Sequence, residues 1–477
     1  MHGDYMKVLS FDLGASSGRA VLGIHHEQGI KLIEIHRFVN RPIKDNQHVR
    51  WDIPMLFKEI KKGISKCVEL GHRDITSISI DTWGVDFGLI DSNGVLMQNP
   101  IHYRDPSFSD QHMESIISKI GREKMYKATG IQFINFNSIY QLAYLKSFYP
   151  DLMRNVHHIL WIPDLFNYLL TGVMVTEYTV ATTSGMINLE NHTWDVDILN
   201  ALDLDCGVFP PLQDAGTQVG FLSEDIMKEC KIGKIPVHLS ASHDTASAVL
   251  AIPFSSNSAF ISCGTWSLIG VELEKPITTK LSYQANYTNE GGYGGTIRFL
   301  KNINGLWLIQ ELIKSLEESQ VVINYEMLEE EIARTKSMEC YINPNDKLFM
   351  ESGNMFHKIQ QYFREHNMPI LESRSEIGRC ILESLAQTYL ININQLGDIS
   401  HKEIDTIHLV GGGAQSEVLC QLTANKTHRK VIAGPVEATA LGNIITQLIA
   451  LKSIKDLVEA RDIIRKSYEF KEYLPQS

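Results

Sequence analysis

The apolar positions of the chain fall first into a strand–turn–strand pattern. Residues 8–24, VLSFDLGASSGRAVLGI, read as an apolar strand, a turn of glycine and hydroxyl residues, and a second apolar strand. The pattern returns in residues 259–272, AFISCGTWSLIGVE, with the turn glycines Gly14 and Gly264 lying 250 residues apart. Two hairpins of this kind, one opening each half, predict a duplicated domain divided into residues 1–245 and 246–477. Residues 54–70 carry a helical pattern that leads into the strand Ser77 to Ile80. Thr406–Val410 reads as a short buried strand running into Gly411-Gly412-Gly413, with a helix over 416–424. Residues 438–451 predict a further helix, apolar at Leu441, Ile444, Ile445, Leu448 and Ile449. Strands alternating with helices in both halves give an α/β class. The hairpins require mixed rather than purely parallel sheets.

Composition narrows the functional classes. The 477 residues carry 44 Lys+Arg against 56 Asp+Glu, a formal net charge of −12. That balance argues against a protein whose task is to grip nucleic acid or an anionic membrane, although a local site can still take an anionic small ligand. No stretch approaches the roughly 18 apolar residues of a spanning helix. The N-terminus, MHGDYMKVLSFDLG, lacks a basic, then apolar leader. The seven cysteines are scattered, with no Cys-x-x-Cys, which disfavours zinc ribbons and fits a reduced, cytoplasmic protein.

The turns carry the candidate chemistry. Gly14-Ala15-Ser16-Ser17-Gly18 matches a hydrolase nucleophile pattern by letters, but that motif needs a helix after the turn and strands follow here. A turn of Gly and Ser instead exposes N–H groups and hydroxyls suited to phosphate oxygens, with Arg19 adding a permanent cation. Taken alone, it fits an ordinary hairpin with solvated serines better. The second turn, Gly264-Thr265-Trp266-Ser267, shifts that balance, since two hydroxyl-bearing turns could hold a phosphate chain from both sides. Asp12 lies two residues before the first turn, where a carboxylate can meet Mg²⁺ through water or simply bond to the turn backbone. Gly412, in the glycine run, lets a flat ligand approach the backbone, or only makes a tight turn. In Ser240-Ala241-Ser242-His243-Asp244-Thr245-Ala246, Asp244 could cap a helix or take a proton from a hydroxyl nucleophile. Asp81-Thr82-Trp83-Gly84-Val85-Asp86 combines an aromatic, Asp and Gly at a strand end, as sugar sites often do; its plain alternative is a Trp anchoring the core. Asn289-Glu290-Gly291-Gly292 and Lys301-Asn302 are polar runs that read as surface loop or site. The acidic stretch 326–331 reads as a solvated helical face, and His25-His26 and His157-His158 as surface or strand residues.

Together these segments resemble the FGGY carbohydrate kinases of the sugar kinase/actin superfamily, from about residue 8 to about residue 450. FDLGASSGR, IDTWGVDFGLID, EYTVATT, ASHDTASAV, SCGTWSL, TNEGG, LKNINGLWLIQ and VGGGAQ followed by VIAGPVEATALGN carry the resemblance in this order. The match tightens to the branch acting on L-rhamnulose. It implies two RNase H-like domains with mixed sheets flanked by helices and a cleft between them. ATP would lie mainly on the C-terminal domain and the sugar mainly on the N-terminal one. The implied reaction is ATP plus L-rhamnulose giving ADP plus L-rhamnulose 1-phosphate. By resemblance Asp244 is the base. Ala15, Ser16, Ser17, Gly18, Arg19 and Thr265 meet the ATP phosphates, and Gln310 and Gly412 the nucleotide. Asp12 orders Mg²⁺, and Gly84, His243, Asp244, Thr245 and Asn302 line the sugar. The implied partners are a small ketose and MgATP, with no nucleic acid and no membrane, in a monomer or homodimer. Ala414, Cys263 and residues 292–296 depart from the family pattern, which bears on sugar preference more than on the chemistry. A kinase for another ketose, such as L-fuculose or L-xylulose, and a non-catalytic nucleotide switch or sugar sensor are the competing readings.

Overall fold

The structure, a computed structural model, describes residues 5–476; the first four residues of the N-terminal stretch read above for a leader lie outside it. The chain forms two compact units. The first comprises the chain through Pro253, Glu272–Phe299 and Ala438–Ser467; the second comprises Phe254–Val271, Leu300–Glu437 and the chain from Tyr468.

In the first unit β1 (Met6–Leu13) and β2 (Ser17–His26) make the first hairpin, antiparallel from Met6↔His25 to Leu13↔Gly18. The third strand, β3 (Gly29–Val39), continues antiparallel. Helix α1 (Ile53–Glu69) follows; the Asp52 carboxylate accepts from Met55 N–H at 3.0 Å and Pro54 sits in its first turn. Its buried Leu56, Ile60, Ile64 and Val68 recur at the helical period, as the apolar pattern requires. Strand β4 (Ser77–Thr82) then pairs parallel with β1, so the sheet is mixed. After the short helix α2 (Tyr178–Thr182), β5 (Gln218–Phe221) and β6 (Pro236–His238) complete the order β5-β6-β4-β1-β2-β3. Helix α3 (Asp244–Leu250) ends this stretch. It packs on helix Ala438–Ala450, which is how that late segment joins the first unit. The approach is close enough that a Cβ on Gly442 would stand 1.8 Å from Ser247 O.

A second hairpin, β7 (Ser258–Cys263) and β8 (Trp266–Leu273), repeats the motif, followed by β9 (Thr288–Gly291) and β10 (Ile297–Asn304). Helix α4 (Trp307–Glu318) comes next. Strand β11 (Thr406–Val410) lies parallel to β7, as β4 does to β1. Helix α5 (Glu417–Thr427), β12 (Lys430–Ala433) and β13 (Lys471–Tyr473) complete the order β9-β10-β8-β7-β11-β12-β13. Hairpin plus parallel neighbour is thus built twice. Among the described residues no helix is long and apolar enough to cross a membrane.

Two polar runs take other places than the sequence suggested, and Trp83 takes the core-anchoring alternative. Asn289 and Glu290 are buried in β9 rather than on a loop. In the acidic stretch, Glu329 accepts from Ser416 Oγ at 2.7 Å and Glu331 from Arg374 Nε at 2.8 Å, so that helix face is not merely solvated. Trp83 is not a bare sugar platform. It is buried, its ring 3.9 Å from that of Trp51, which in turn stacks on His102 at 4.1 Å. The two indole N–H groups share one acceptor, Asp86 Oδ2, at 3.1 and 2.6 Å; Tyr103 N–H also donates to it, and Gln141 donates to Oδ1. Burial pushes Asp86 up to about 7 while these donors pull the other way.

Two outcomes follow from this packing. Gly442→Ala should cost about 2 kcal/mol or more through backbone displacement, read as a lower denaturation midpoint at unchanged slope, whereas Gly233→Ala, whose Cβ meets open space, should stay within about 0.5 kcal/mol. Asp86, raised in the folded state, holds a proton that the unfolded chain gives up near its ordinary value of 3.8, so its share of stability shrinks as pH climbs towards about 7. His102, held neutral down to about 3, slopes the opposite way below its ordinary value, so the measurement is a difference. Relative to Asp86→Asn, the wild type should lose thermal stability between about pH 5 and about pH 8; a constant difference would contradict the proton assignment.

Candidate functional site

The position of Asp244 follows from strand pairing. After β6 the chain keeps running beside β4: Ser240 Oγ donates to Ile80 O at 2.8 Å and Thr82 N–H to Ser242 O at 2.9 Å, with a bridge between Thr82 and His243. A buried carboxylate fixes this run. Glu177 Oε2 accepts from Ser242 N–H (3.1 Å), Ser242 Oγ (2.6 Å), Thr179 Oγ1 (2.6 Å) and Val180 N–H (3.1 Å). His243 N–H in turn donates to Thr179 Oγ1 at 3.3 Å. Asp244 then opens α3, and Gly84 follows the end of β4 one strand away.

Four of the expected sugar-side residues therefore come together. A Cβ on Gly84 would stand 3.3 Å from His243 Nε2, and that nitrogen lies 3.5 Å from Asp244 Oδ1. Thr245 Oγ1 donates to the same oxygen at 3.1 Å, and neither contact involves Oδ2. The Asp244 side chain keeps 29% of its surface exposed, so a ligand can reach it. Its carboxyl sits above the usual range, first through burial; His243 opposes the shift and Asp12 adds to it. Val85, beside Gly84, has φ 65, a strained value for a β-branched residue, held by Thr183 Oγ1 on its N–H and Ser138 Oγ on its carbonyl. Asn302, the fifth expected sugar residue, lies on β10 in the second unit.

The first turn is tight and braced. Gly14 N–H bonds to Ser17 O at 2.9 Å, and Asn40 braces the turn with Nδ2 on Gly14 O and N–H on Ser16 O. Ser16 and Ser17 are exposed, Ala15 is half-buried, and Gly18 is packed under the Phe38 ring, where a Cβ would stand 2.3 Å from a ring carbon. Arg19 turns its Nε and Nη2 onto Asp12 Oδ2, at 2.9 and 2.7 Å. Two of the expected residues are thus an ion pair.

Asp12 suits a metal held through water. Among the described residues no three His, Cys, Asp or Glu side chains are placed to grip a bare metal ion. Yet Asp12, Asp81 and Asp244 form an acidic neighbourhood: burial, then Asp12, push Asp81 well above the usual range, with Asp244 adding to the shift. Asp81 Oδ1 is buried with no hydrogen-bond partner among the described residues, while Asn443 donates to its Oδ2 at 2.6 Å. A hydrated divalent cation fits such a group.

The expected nucleotide residues gather in the second unit. Gly264 N–H bonds to Trp266 O at 2.8 Å, and Leu306 and Trp307 N–H groups, at the start of α4, hold the carbonyls of Gly264 and Thr265. One turn into that helix Gln310 meets Thr265, Oγ1 donating to Oε1 at 3.4 Å. The glycine run packs on the end of β7: Gly411 has φ 79, and a Cβ on Gly413 would stand 2.5 Å from Cys263 Sγ. Thr265, Gln310 and Gly412 thus share the end of the parallel pair β7–β11, where α/β sheets carry ligands.

Sequence reading missed Glu177 and Arg298. Glu177 carries a faint signal, a carboxylate before the hydroxyl run Thr179, Thr182, Thr183 that suits a helix cap. Arg298, in a β-strand of the first unit, has none.

Residues 7–251 match the FGGY family of carbohydrate kinases, N-terminal domain, and residues 259–451 the C-terminal domain of the same family. A rhamnulokinase of Oceanobacillus iheyensis is 41% identical over 98% of this chain and 97% of its own. A rhamnulokinase of Halalkalibacterium halodurans is 40% identical over 98% of both chains. The ligand-bound xylulose kinase of Lactobacillus acidophilus superposes with a TM-score of 0.81 at 17% identity, covering 99% of this chain and 94% of that one, and shows the same two-domain α/β fold. With both halves of the family pattern matched in order, this chain belongs to the FGGY family of carbohydrate kinases.

Proposed function

We propose that this chain transfers the γ-phosphoryl group of ATP to the C1 hydroxyl of L-rhamnulose, giving L-rhamnulose 1-phosphate and ADP. The observation that carries the chemistry is Asp244, an accessible carboxylate beside His243 and Gly84 whose proton affinity is raised by its surroundings. The choice of sugar is supported by relatives about 40% identical over nearly the whole chain that are named rhamnulokinase.

With Thr245 donating to Oδ1 and His243 Nε2 lying 3.5 Å from the same oxygen, Oδ2 is the oxygen that takes the proton of the attacking hydroxyl. The sugar oxygen bonds to the γ-phosphorus as the bond to ADP breaks. Gly84, His243, Thr245 and Asn302 orient the sugar. Ala15, Ser16, Ser17, Gly18 and Arg19, with Thr265, bind the phosphates, and Gln310 and Gly412 take the rest of the nucleotide. Asp12 would hold Mg²⁺ through water; when bound, the ion neutralises phosphate charge. The reading puts the sugar mainly on residues 1–245 and the nucleotide mainly on 246–477, in a cytoplasmic monomer or homodimer.

The test is ADP release from MgATP with L-rhamnulose, L-fuculose, L-xylulose, D-xylulose, D-ribulose and glycerol. Preference for L-rhamnulose is expected. Preference for another ketose would move the specificity, and no sugar-stimulated release would favour the switch or sensor reading. Asp244→Asn should lower kcat by about 10²–10⁴-fold while sugar binding, measured by calorimetry, survives. Wild-type turnover in that variant would refute the base. Thr265→Ala should raise the KM for MgATP by about tenfold, with a smaller effect on the sugar KM; equal effects on both would argue against a phosphate role.

A further inference from the structure

His243 is held from behind in a way that decides which ring nitrogen carries its proton. Its Nδ1 lies 3.1 Å from Arg298 Nη2 and 3.3 Å from Glu290 Oε2. Its Nε2 points the other way, towards Gly84 and Asp244 Oδ1. Arg298 is wholly buried; its Nε donates to Gly291 O at 2.9 Å, and its Nη1 is 3.1 Å from Glu290 Oε2. The Asp244 and Glu177 carboxylates also act on its charge.

A guanidinium has only N–H groups to offer. A ring nitrogen bonded to it must accept, and in a neutral imidazole the other nitrogen then carries the hydrogen. Glu290 is the competitor, because a carboxylate can only accept and would draw a proton onto Nδ1. In the structure the bond to Nδ1 is that of Arg298, and Glu290 balances the arginine's charge.

We propose that Arg298 is a positioning residue that locks His243 as the Nε2–H tautomer, so that the ring presents a donor rather than a lone pair to Asp244 Oδ1 and to the sugar. With the opposite tautomer a lone pair would face the carboxylate, and Asp244 would lose a group that holds Oδ1 and leaves Oδ2 free to act. The catalytic use of this arrangement rests on the kinase reading above; the tautomer itself does not.

The experiment is ¹⁵N NMR of histidine-labelled protein without sugar or nucleotide, the His243 signals being assigned by their loss in His243→Asn. Wild type should show a protonated Nε2 and a bare Nδ1. Arg298→Met should move the proton onto Nδ1 and lower kcat about 10- to 100-fold, the effect of losing one charge-assisted hydrogen bond, with the KM for MgATP within about twofold. Arg298→Lys, which keeps a donor-only cation, should retain Nε2–H and recover most of kcat. A bare Nε2 in wild type, or an unchanged tautomer in Arg298→Met, overturns the proposal. Should the methionine variant not fold, the wild-type spectrum decides: a proton on Nδ1 there would mean that Glu290 rather than Arg298 sets the tautomer. Failure of the sugar assay with an Nε2–H spectrum would sink the substrate reading and leave the tautomer standing.

Discussion

One oxygen, Glu177 Oε2, ties three pieces of the first unit together. It caps α2, binds the Thr179 hydroxyl, and takes both the N–H and the hydroxyl of Ser242. Those bonds hold the chain alongside β4 after β6 has ended, and the next residues are His243 and Asp244. A buried carboxylate is costly, and the four donors on this one oxygen offset that cost while Oε1 has no hydrogen-bond partner among the described residues. Glu177 is itself raised by burial, and it raises its buried neighbour Asp164. The site residues are thus placed by a polar network rather than by apolar packing alone.

The repeated hairpin shows one architecture built twice with different side chains at its turns. In both units a strand, a glycine turn and a returning strand sit beside a parallel neighbour. In the first, the turn is braced by Asn40 and the adjacent strand end carries Asp12 paired with Arg19. In the second, the turn is braced by the start of α4, which brings Gln310 to Thr265. The fold repeats, and the side chains at the turns are what differ between the two.

Asp86 illustrates a different economy. Two indoles, an amide side chain and a backbone N–H converge on its carboxylate, so that aromatic and polar packing are fixed by the same group. Trp83, which by letters could have been a sugar platform, is committed to that cluster and leaves Gly84 as the residue of the motif that meets His243.

The hairpins, α1, β11 and helix 438–450 were legible in the sequence because each depends on local periodicity and turn chemistry. The same holds for the candidate turns, whose glycine and hydroxyl residues announce exposed backbone, and for Asp244 as a carboxylate poised at a helix start. The sequence by itself therefore determined the class, the duplication and the residue types available for phosphoryl transfer. It did not determine that helix 438–450 belongs with the first unit, a fact that turns on Gly442 meeting Ser247 across almost two hundred residues of chain. Nor did it reveal the roles of Glu177 and Arg298, which depend on hydrogen bonds to residues 55 to 65 positions away, Arg298 to His243 and Ser242 to Glu177. Local pattern reports what a segment prefers to become; which distant donor meets which acceptor is decided only when the tertiary fold has closed.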